Sequence, residues 1–272
     1  YYEAPSAGYI INMQQGALSA CQKAGFELLI HPCNYRDRKV GSELRALIEQ
    51  VRPSGIIIAA PLSNMPKIAR AVSDTGTPCV RLAHGSSNGK EYSVATNDRD
   101  ISAEMTCYLA GQGHTRIAFI KGNKQHKAVG NRFDGYLDGL EQSGLPFREE
   151  LVAEGDNSIG SGEECAKKLL RIRRRPTAIF AANDDMAAGV LRVATRMGIK
   201  VPDELSIAGC DDIALAQQIY PSLTTIRQPL DAMAEVASLA LIDGVRGNPR
   251  DPGLEIIPGT IRVRESTGPA PK

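Results

Sequence analysis

Short, branched, apolar runs alternate with stretches whose apolar residues recur every three to four positions along almost the whole of this 272-residue chain. Residues 26–31 (FELLIH), 55–59 (GIIIA), 79–83 (CVRLA) and 93–97 (SVATN) are of the first kind. Near-continuous apolar character over so few residues marks strands covered on both faces, the situation of a parallel sheet. Between them Ala17, Leu18, Cys21 and Ala24, then Leu44, Leu47, Ile48 and Val51, then Ile68, Ala69 and Val72, each form one helical stripe that packs on a sheet. The pattern repeats with strands at 116–121 (RIAFIK), 152–154, 178–182 and 205–209. The helix after Asp185 carries Met186, Val190, Val193, Ala194 and Met197 on one side and stops at Gly198, with Pro202 just beyond, the punctuation of a helix C-terminus. Alternating β and α units of this kind predict an α/β fold with parallel sheets, here in two similar halves of about a hundred residues, the size of single lobes.

Past Pro221 the alternation loosens. Residues 223–228 predict a strand, 230–245 a helix with Leu230, Met233, Ala237 and Leu241 inward, and 255–266 one more strand pair. These segments are expected to return to the first lobe and then to the second, so that several connecting strands form a hinge.

Charge and cysteine usage narrow the function classes. Thirty-two Lys and Arg against thirty-one Asp and Glu leave a formal charge of +1, which demands neither nucleic acid nor an anionic membrane. The densest basic run, 171–175 (RIRRR), precedes Pro176, and cations favour helix C-termini; a solvated helix end is expected there. The six cysteines stand singly, with no CxxC and no Cys/His cluster, the usage of small hydrophobes in a reducing compartment. No stretch approaches the ~20 apolar residues of a membrane span, and no signal-type apolar region opens the chain. A soluble, cytoplasmic protein without membrane partners is expected.

Catalytic signatures are thin. His31, His84, His114 and His126 are the only histidines and fall in no metalloprotease or nucleophile-elbow arrangement, and there is no phosphate-binding P-loop. Residues 155–162 (GDNSIGSG) are glycine-rich, but at the spacing of a plain strand-to-helix turn. Neither a cofactor nor a metal is expected, and the chain reads as no enzyme.

Two apolar runs stop on clusters of short polar side chains, first at Asn183-Asp184-Asp185 and again at Asp211-Asp212. In open parallel sheets ligands bind beyond the carboxyl ends of the strands, so these side chains are candidates for gripping something small and hydroxylated. Helix capping, worth about 1 kcal/mol, is the alternative at the first cluster; it falls to Asp184 or Asp185, leaving Asn183 free. Turn chemistry is the alternative at the second.

Taken together, Gly113-His114-Thr115-Arg116-Ile117-Ala118-Phe119-Ile120, Arg132-Phe133-Asp134-Gly135-Tyr136, PTAIFAANDDMAAG, VPDELSIAGCDD, LTTIRQP and RESTGP at 264–269 resemble the effector-binding core of LacI/GalR transcriptional regulators, itself similar to periplasmic sugar-binding proteins. The motifs run in the family's order over essentially the full length. The resemblance implies two Rossmann-like lobes with parallel sheets joined by a three-strand hinge, a type I periplasmic-binding-protein-like fold, with lobes at 1–114 plus 226–248 and 115–225 plus 249–272. It implies a small effector, a mono- or disaccharide, in the interlobe cleft, and a homodimer that controls operator DNA through an amino-terminal helix-turn-helix of which this sequence holds no trace. The family's first strand is likewise expected to lie before Tyr1.

Carried over residue by residue, the resemblance assigns Arg132 as a fork onto ligand oxygens, which a planar guanidinium suits, and Asp211 as the acceptor on the opposite wall. Asn183 matches a pocket polar position, Tyr9 an aromatic against the apolar side of a sugar, and His84 and Asp100 further pocket positions. Asn157 stands where many relatives place a stacking aromatic, so it is expected to hydrogen-bond a more polar effector or to leave room for a disaccharide. The mechanism implied is ligand-biased allostery without chemistry. A periplasmic sugar-binding protein of a transporter is the alternative.

Overall fold

The computed structural model describes residues 7–83 and 91–272. The chain forms two compact units, one containing Ile10–Thr96 and Pro229–Ile257, the other Asn97–Gln228 and Pro258–Lys272; the start of the first helix, as far as Tyr9, groups with the second.

In the first unit the chain runs through helices α1 (Ala7–Ala24), α2 (Val40–Val51) and α3 (Pro66–Ser73), and strands β1 (Ile56–Ala59), β2 (Cys79–Leu82) and β3 (Tyr92–Ala95). The three strands pair in parallel in that order. Val40 and Ile48 of α2 and Ile68 and Val72 of α3 close on Ile58 of β1, as their helical spacing dictates.

The second unit is the larger. Strands β4 (Ile117–Lys121), β5 (Val152–Glu154), β6 (Ala178–Ala181), β7 (Ser206–Asp211) and β8 (Thr224–Arg227) alternate with helices α4 (Asp98–Gly111), α5 (Lys127–Gln142), α6 (Ile159–Leu169), α7 (Asp184–Arg196) and α8 (Ala214–Gln218). After helix α9 (Leu230–Val245) and strand β9 (Gly253–Ile256), both in the first unit, the chain ends through β10 (Thr260–Arg262) in the second. The second sheet has the order β10-β8-β7-β6-β4-β5, with only β10 antiparallel. β6 and β7 are buried at every position, which explains their unbroken apolar reading. Phe119 meets Phe180 edge-on at 5.1 Å and stacks on Tyr136 at 5.0 Å; the Tyr136 hydroxyl donates to the Ile117 carbonyl at 2.9 Å, so the ring is buried without an orphaned polar atom.

The carboxyl-terminal motif RESTGP is a clasp on this sheet. Ser266 Oγ accepts from Thr224 N at 2.8 Å and donates to the Ile207 carbonyl at 2.6 Å. Buried His114 places its ring between Thr177 Oγ1 at 2.9 Å, Ser206 Oγ at 3.0 Å and the Gly268 carbonyl at 3.1 Å. The histidine of the GHTRIAFI motif thus binds strand starts and tail together, and burial lowers its pKa below the usual value.

Three expectations are corrected. Residues 26–31 form no regular element and join no sheet among the described residues, and Leu29 and Ile30 are 67% and 47% exposed; apolar β-type composition yields a strand only where a neighbour offers a ladder. The two tail strands are not a pair: β9 adds in parallel to β3 in the first sheet, and β10 lies against β8 in the second. The units divide at Thr96 and Asn97 rather than at 114 and 115, and Pro229–Ile257 all falls in the first. α4 goes with the second unit because it packs closely on α5, where a Cβ at Gly135 would lie 2.1 Å from the Arg99 carbonyl oxygen.

Candidate functional site

The carboxyl ends of β6 and β7 and the start of α4 in the second unit converge on the side chain of Arg132 in α5. It is buried, donating from Nε to Asp98 Oδ1 at 2.8 Å and from Nη1 to the Ala182 carbonyl just past β6 at 2.6 Å. Asp211 Oδ1, at the end of β7, lies 3.6 Å from Nη1. That is an ion pair without a close hydrogen bond, and Asp211 takes its hydrogen bond from Gln228 Nε2 just past β8. Arg132 is therefore not a loose fork but a fixed centre between two acids.

Asp211 and Asp212 have φ of 123° and 55°, a left-handed stretch that costs non-glycine residues of order 1–3 kcal/mol each and clusters at ligand sites. Asp212 is held by Arg264 Nη2 at 2.5 Å. Burial pushes the Asp211 carboxyl up, against the opposing pull of Arg132 and the Gln228 bond, to about 7. Asp98 is likewise raised by burial, its pairing with Arg132 only partly offsetting this.

Asp184 is fully buried behind Asp211. It accepts from Thr225 Oγ1 at 2.5 Å and Ile213 N at 3.0 Å, and burial and the Asp211 charge raise its pKa well above the usual range. The cap of α7 is Asn183, not an aspartate: its Oδ1 accepts from Met186 N at 3.0 Å. Its Nδ2 donates to the Asn157 carbonyl at 3.0 Å. The expectation that Asp184 or Asp185 would cap and leave Asn183 free is thereby reversed; Asp184 serves the strand ends instead.

Asn157 has φ 77° and accepts from Asn123 N at 3.1 Å, tying the loop after β4 to the loop after β5. Tyr9 is drawn into the same field: burial, then the charges of Asp211 and Asp98, raise its hydroxyl above the ordinary value while Arg132 opposes them. Asp100 is exposed, two residues along α4 from buried Asp98. His84 lies outside the described residues. Arg132, Asp211, Asn183, Asn157 and Tyr9 thus come together in one region and Asp100 does not join them. The sequence reading missed Asp98, Gln228 and His126. Half-buried His126 stands immediately before α5, and burial and the Arg132 charge lower its pKa to about 4. Asp98 was findable, because it falls in register with Ile101, Ser102, Met105 and Leu109 on the buried face of α4.

No His/Cys/Asp/Glu cluster among the described residues is arranged to hold a metal ion, and none of the described helices is long and apolar enough to cross a membrane. The site is built of fixed donors and acceptors, the equipment of recognition.

The family model described as a periplasmic binding protein-like domain matches residues 106–267. The HTH-type transcriptional regulator DegA of Bacillus subtilis is 32% identical over 247 residues, covering 90% of this chain and 73% of DegA. The chain belongs to the LacI family of transcriptional regulators. The HTH-type transcriptional repressor PurR of Yersinia pestis is 28% identical over 261 residues, 95% of this chain and 76% of the repressor. Two solved structures share the fold: a complex of the transcriptional regulator CelR with cellobiose, at TM-score 0.88 and 24% identity over 97% of this chain and 80% of that one, and a LacI family regulator from Enterococcus faecium with bound ribose, at TM-score 0.86 and 23% identity over 98% and 97%. The chain is a ligand-sensing regulatory domain of this family, not the binding protein of a transporter.

Proposed function

We propose that this LacI-family domain senses a small polyhydroxylated effector, a mono- or disaccharide, at the carboxyl end of the second unit's sheet, and that binding there controls operator DNA through a homodimer in the cytoplasm. The observation that carries the reading is the buried Arg132 fixed by Asp98 and the Ala182 carbonyl, with Asp211 beside it at strained φ. Carboxylates accept only, and a guanidinium donates only, so together they match a ligand whose hydroxyls do both. Asn157 and Tyr9 line the same region, and the two fold relatives that hold cellobiose and ribose support a sugar.

Nothing in this reading requires bond-making; the domain acts by binding one of two states better. Such coupling is typically about 1–3 kcal/mol and exists only if the effector discriminates between the states.

A thermal-shift screen against mono- and disaccharides tests the reading, since a ligand of the native state raises the melting temperature by mass action. A sugar that stabilises the chain but not Asp211→Asn supports it. Stabilisation by a purine or an amino acid, with no response to any sugar, overturns it.

A further inference from the structure

The chain passes from one unit to the other three times, after Thr96, after Gln228 and after Ile257. We propose that Asn97, Asp98 and Gln228 are positioning residues that tie the effector site to these three passages, so that a ligand taken up at Asp211 and Arg132 is felt at all of them. The network is read from the contacts themselves; its link to an effector rests on the function proposed above.

Gln228, the last residue before the second passage, is buried and donates from Nε2 to Asp211 Oδ1. The same Asp211 oxygen lies 3.6 Å from Arg132 Nη1, and Arg132 Nε donates to Asp98 Oδ1 at 2.8 Å. Asp98 opens α4 immediately past the first passage. Its neighbour Asn97 accepts at Oδ1 from Gly259 N at 2.8 Å, just past the third passage. Gln228, Asp211, Arg132, Asp98 with Asn97, and Gly259 therefore form one unbroken run of contacts that joins three passages remote from one another in sequence.

The backbone carries the same link. β9 pairs with β3 as far as Ile256 opposite Ala95, and Ile257 N donates to the Ala95 carbonyl at 2.9 Å. β10 pairs with β8, with Thr260 opposite Arg227. The third passage is thus laddered to the first where it begins and to the second where it ends. Gln228 is followed directly by Pro229 and α9, whose start packs on α1 so closely that a Cβ at Gly16 would overlap the Asp231 carbonyl. A shift at Gln228 is therefore handed to a close-packed helix, not absorbed in a loop. Energetic coupling is carried by contiguous networks of this kind. A ligand hydroxyl that donates to Asp211 Oδ1 meets the oxygen that Gln228 and Arg132 already share, so binding and the hold on the passages draw on the same atom.

Hydrogen exchange on the unliganded chain tests the network. Gln228→Met keeps the length of the side chain and loses the donor; it is expected to speed exchange at residues 95–99 and 256–260 at least about twofold, the lower end of coupling through packed networks, with α6 unchanged. Asn97→Ala is expected to speed exchange at residues 226–228 likewise, and Asn97→Asp, which retains an Oδ1 acceptor, to restore the parent rate, so the test stands even where Gln228→Met fails to fold. Acceleration confined to the segment that carries the substitution overturns the inference, because a side chain that only satisfies a buried group acts locally. Ribose and cellobiose then probe the effector link by the same measurement. Binding by either that alters exchange at all three passages supports it, and binding that leaves the passages unchanged overturns it. Binding by neither counts against the sugar reading and not against the network, which the unliganded comparison decides.

Discussion

Asp98 accepts from Arg132 Nε at 2.8 Å with both side chains withdrawn from solvent. A buried pair need not be a net gain over an apolar one, but removing one partner strands the other charge and costs about 3–5 kcal/mol. Asp98→Ala is therefore expected to lower the unfolding free energy by about that amount, read from urea denaturation. Asp100→Ala, two residues away on the exposed side of the same helix, should stay within about 0.5 kcal/mol. Equal effects would refute the pairing. Arg132→Ala suffers the same defect as Asp98→Ala, so lost effector binding in it would not distinguish ligand contact from unfolding.

That pair also marks how far the sequence could be read. β4, β6 and β7 were legible because strands buried on both faces have little choice but branched apolar residues, and α9 because Leu230, Met233, Ala234 and Ala237 recur at helical spacing on its buried face. Choosing Asp100 over Asp98 weighed motif position without the phase of α4, which its apolar residues already define. Reversal of roles between Asn183 and Asp184 was not legible: an amide and an acid both cap helices, and only the approach of Thr225 and Ile213 decides which one is taken by the strands. Residues 26–31 failed for a different reason, since ladder pairing depends on partners remote in sequence.

Two glycines in α5 should respond oppositely to the same substitution. At Gly135 a Cβ would lie 2.1 Å from the Arg99 carbonyl oxygen, a backbone atom that cannot step aside, whereas at Gly130 nothing lies within 4 Å. Alanine gains about 1 kcal/mol over glycine in a helix interior. Gly130→Ala is thus expected to raise the melting temperature and Gly135→Ala to lower it sharply despite the better propensity. Stabilisation by both would show that α4 and α5 do not cross as closely as described.

His114 makes stability depend on pH in a definite direction. Burial lowers its pKa below the ordinary 6.5, so as pH falls past that value the unfolded chain takes up a proton that the native state refuses. Stability is present above about 6.5 and is lost below it. The slope contributed by this group, at most about 1.4 kcal/mol per pH unit, should vanish in His114→Gln, measured by urea unfolding between pH 5 and 8 (~5–8 being the range that histidine spans). A slope unchanged in the variant would assign the effect to another group.

Asp211 runs the other way. Its carboxyl is raised from 3.8 to about 7, so between these values the native state holds a proton that the unfolded chain has released. The contribution of this group is complete at low pH and is lost as pH rises through about 7. Asp211→Asn removes the titration while keeping an Oδ1 to accept from Gln228, so the variant is expected to gain stability relative to the parent above neutrality and to show no such gain near pH 4 (about the unfolded carboxylate value). The same substitution removes the anionic acceptor offered to an effector, so it should raise stability and abolish the sugar-induced thermal shift together, the trade-off expected where a strained, desolvated group is kept for binding. Loss of stability at pH 8 (roughly a unit above the Asp211 titration) would show that the ionised carboxylate is held by Arg132 more strongly than its burial opposes, and that the 3.6 Å pair stabilises the unliganded state.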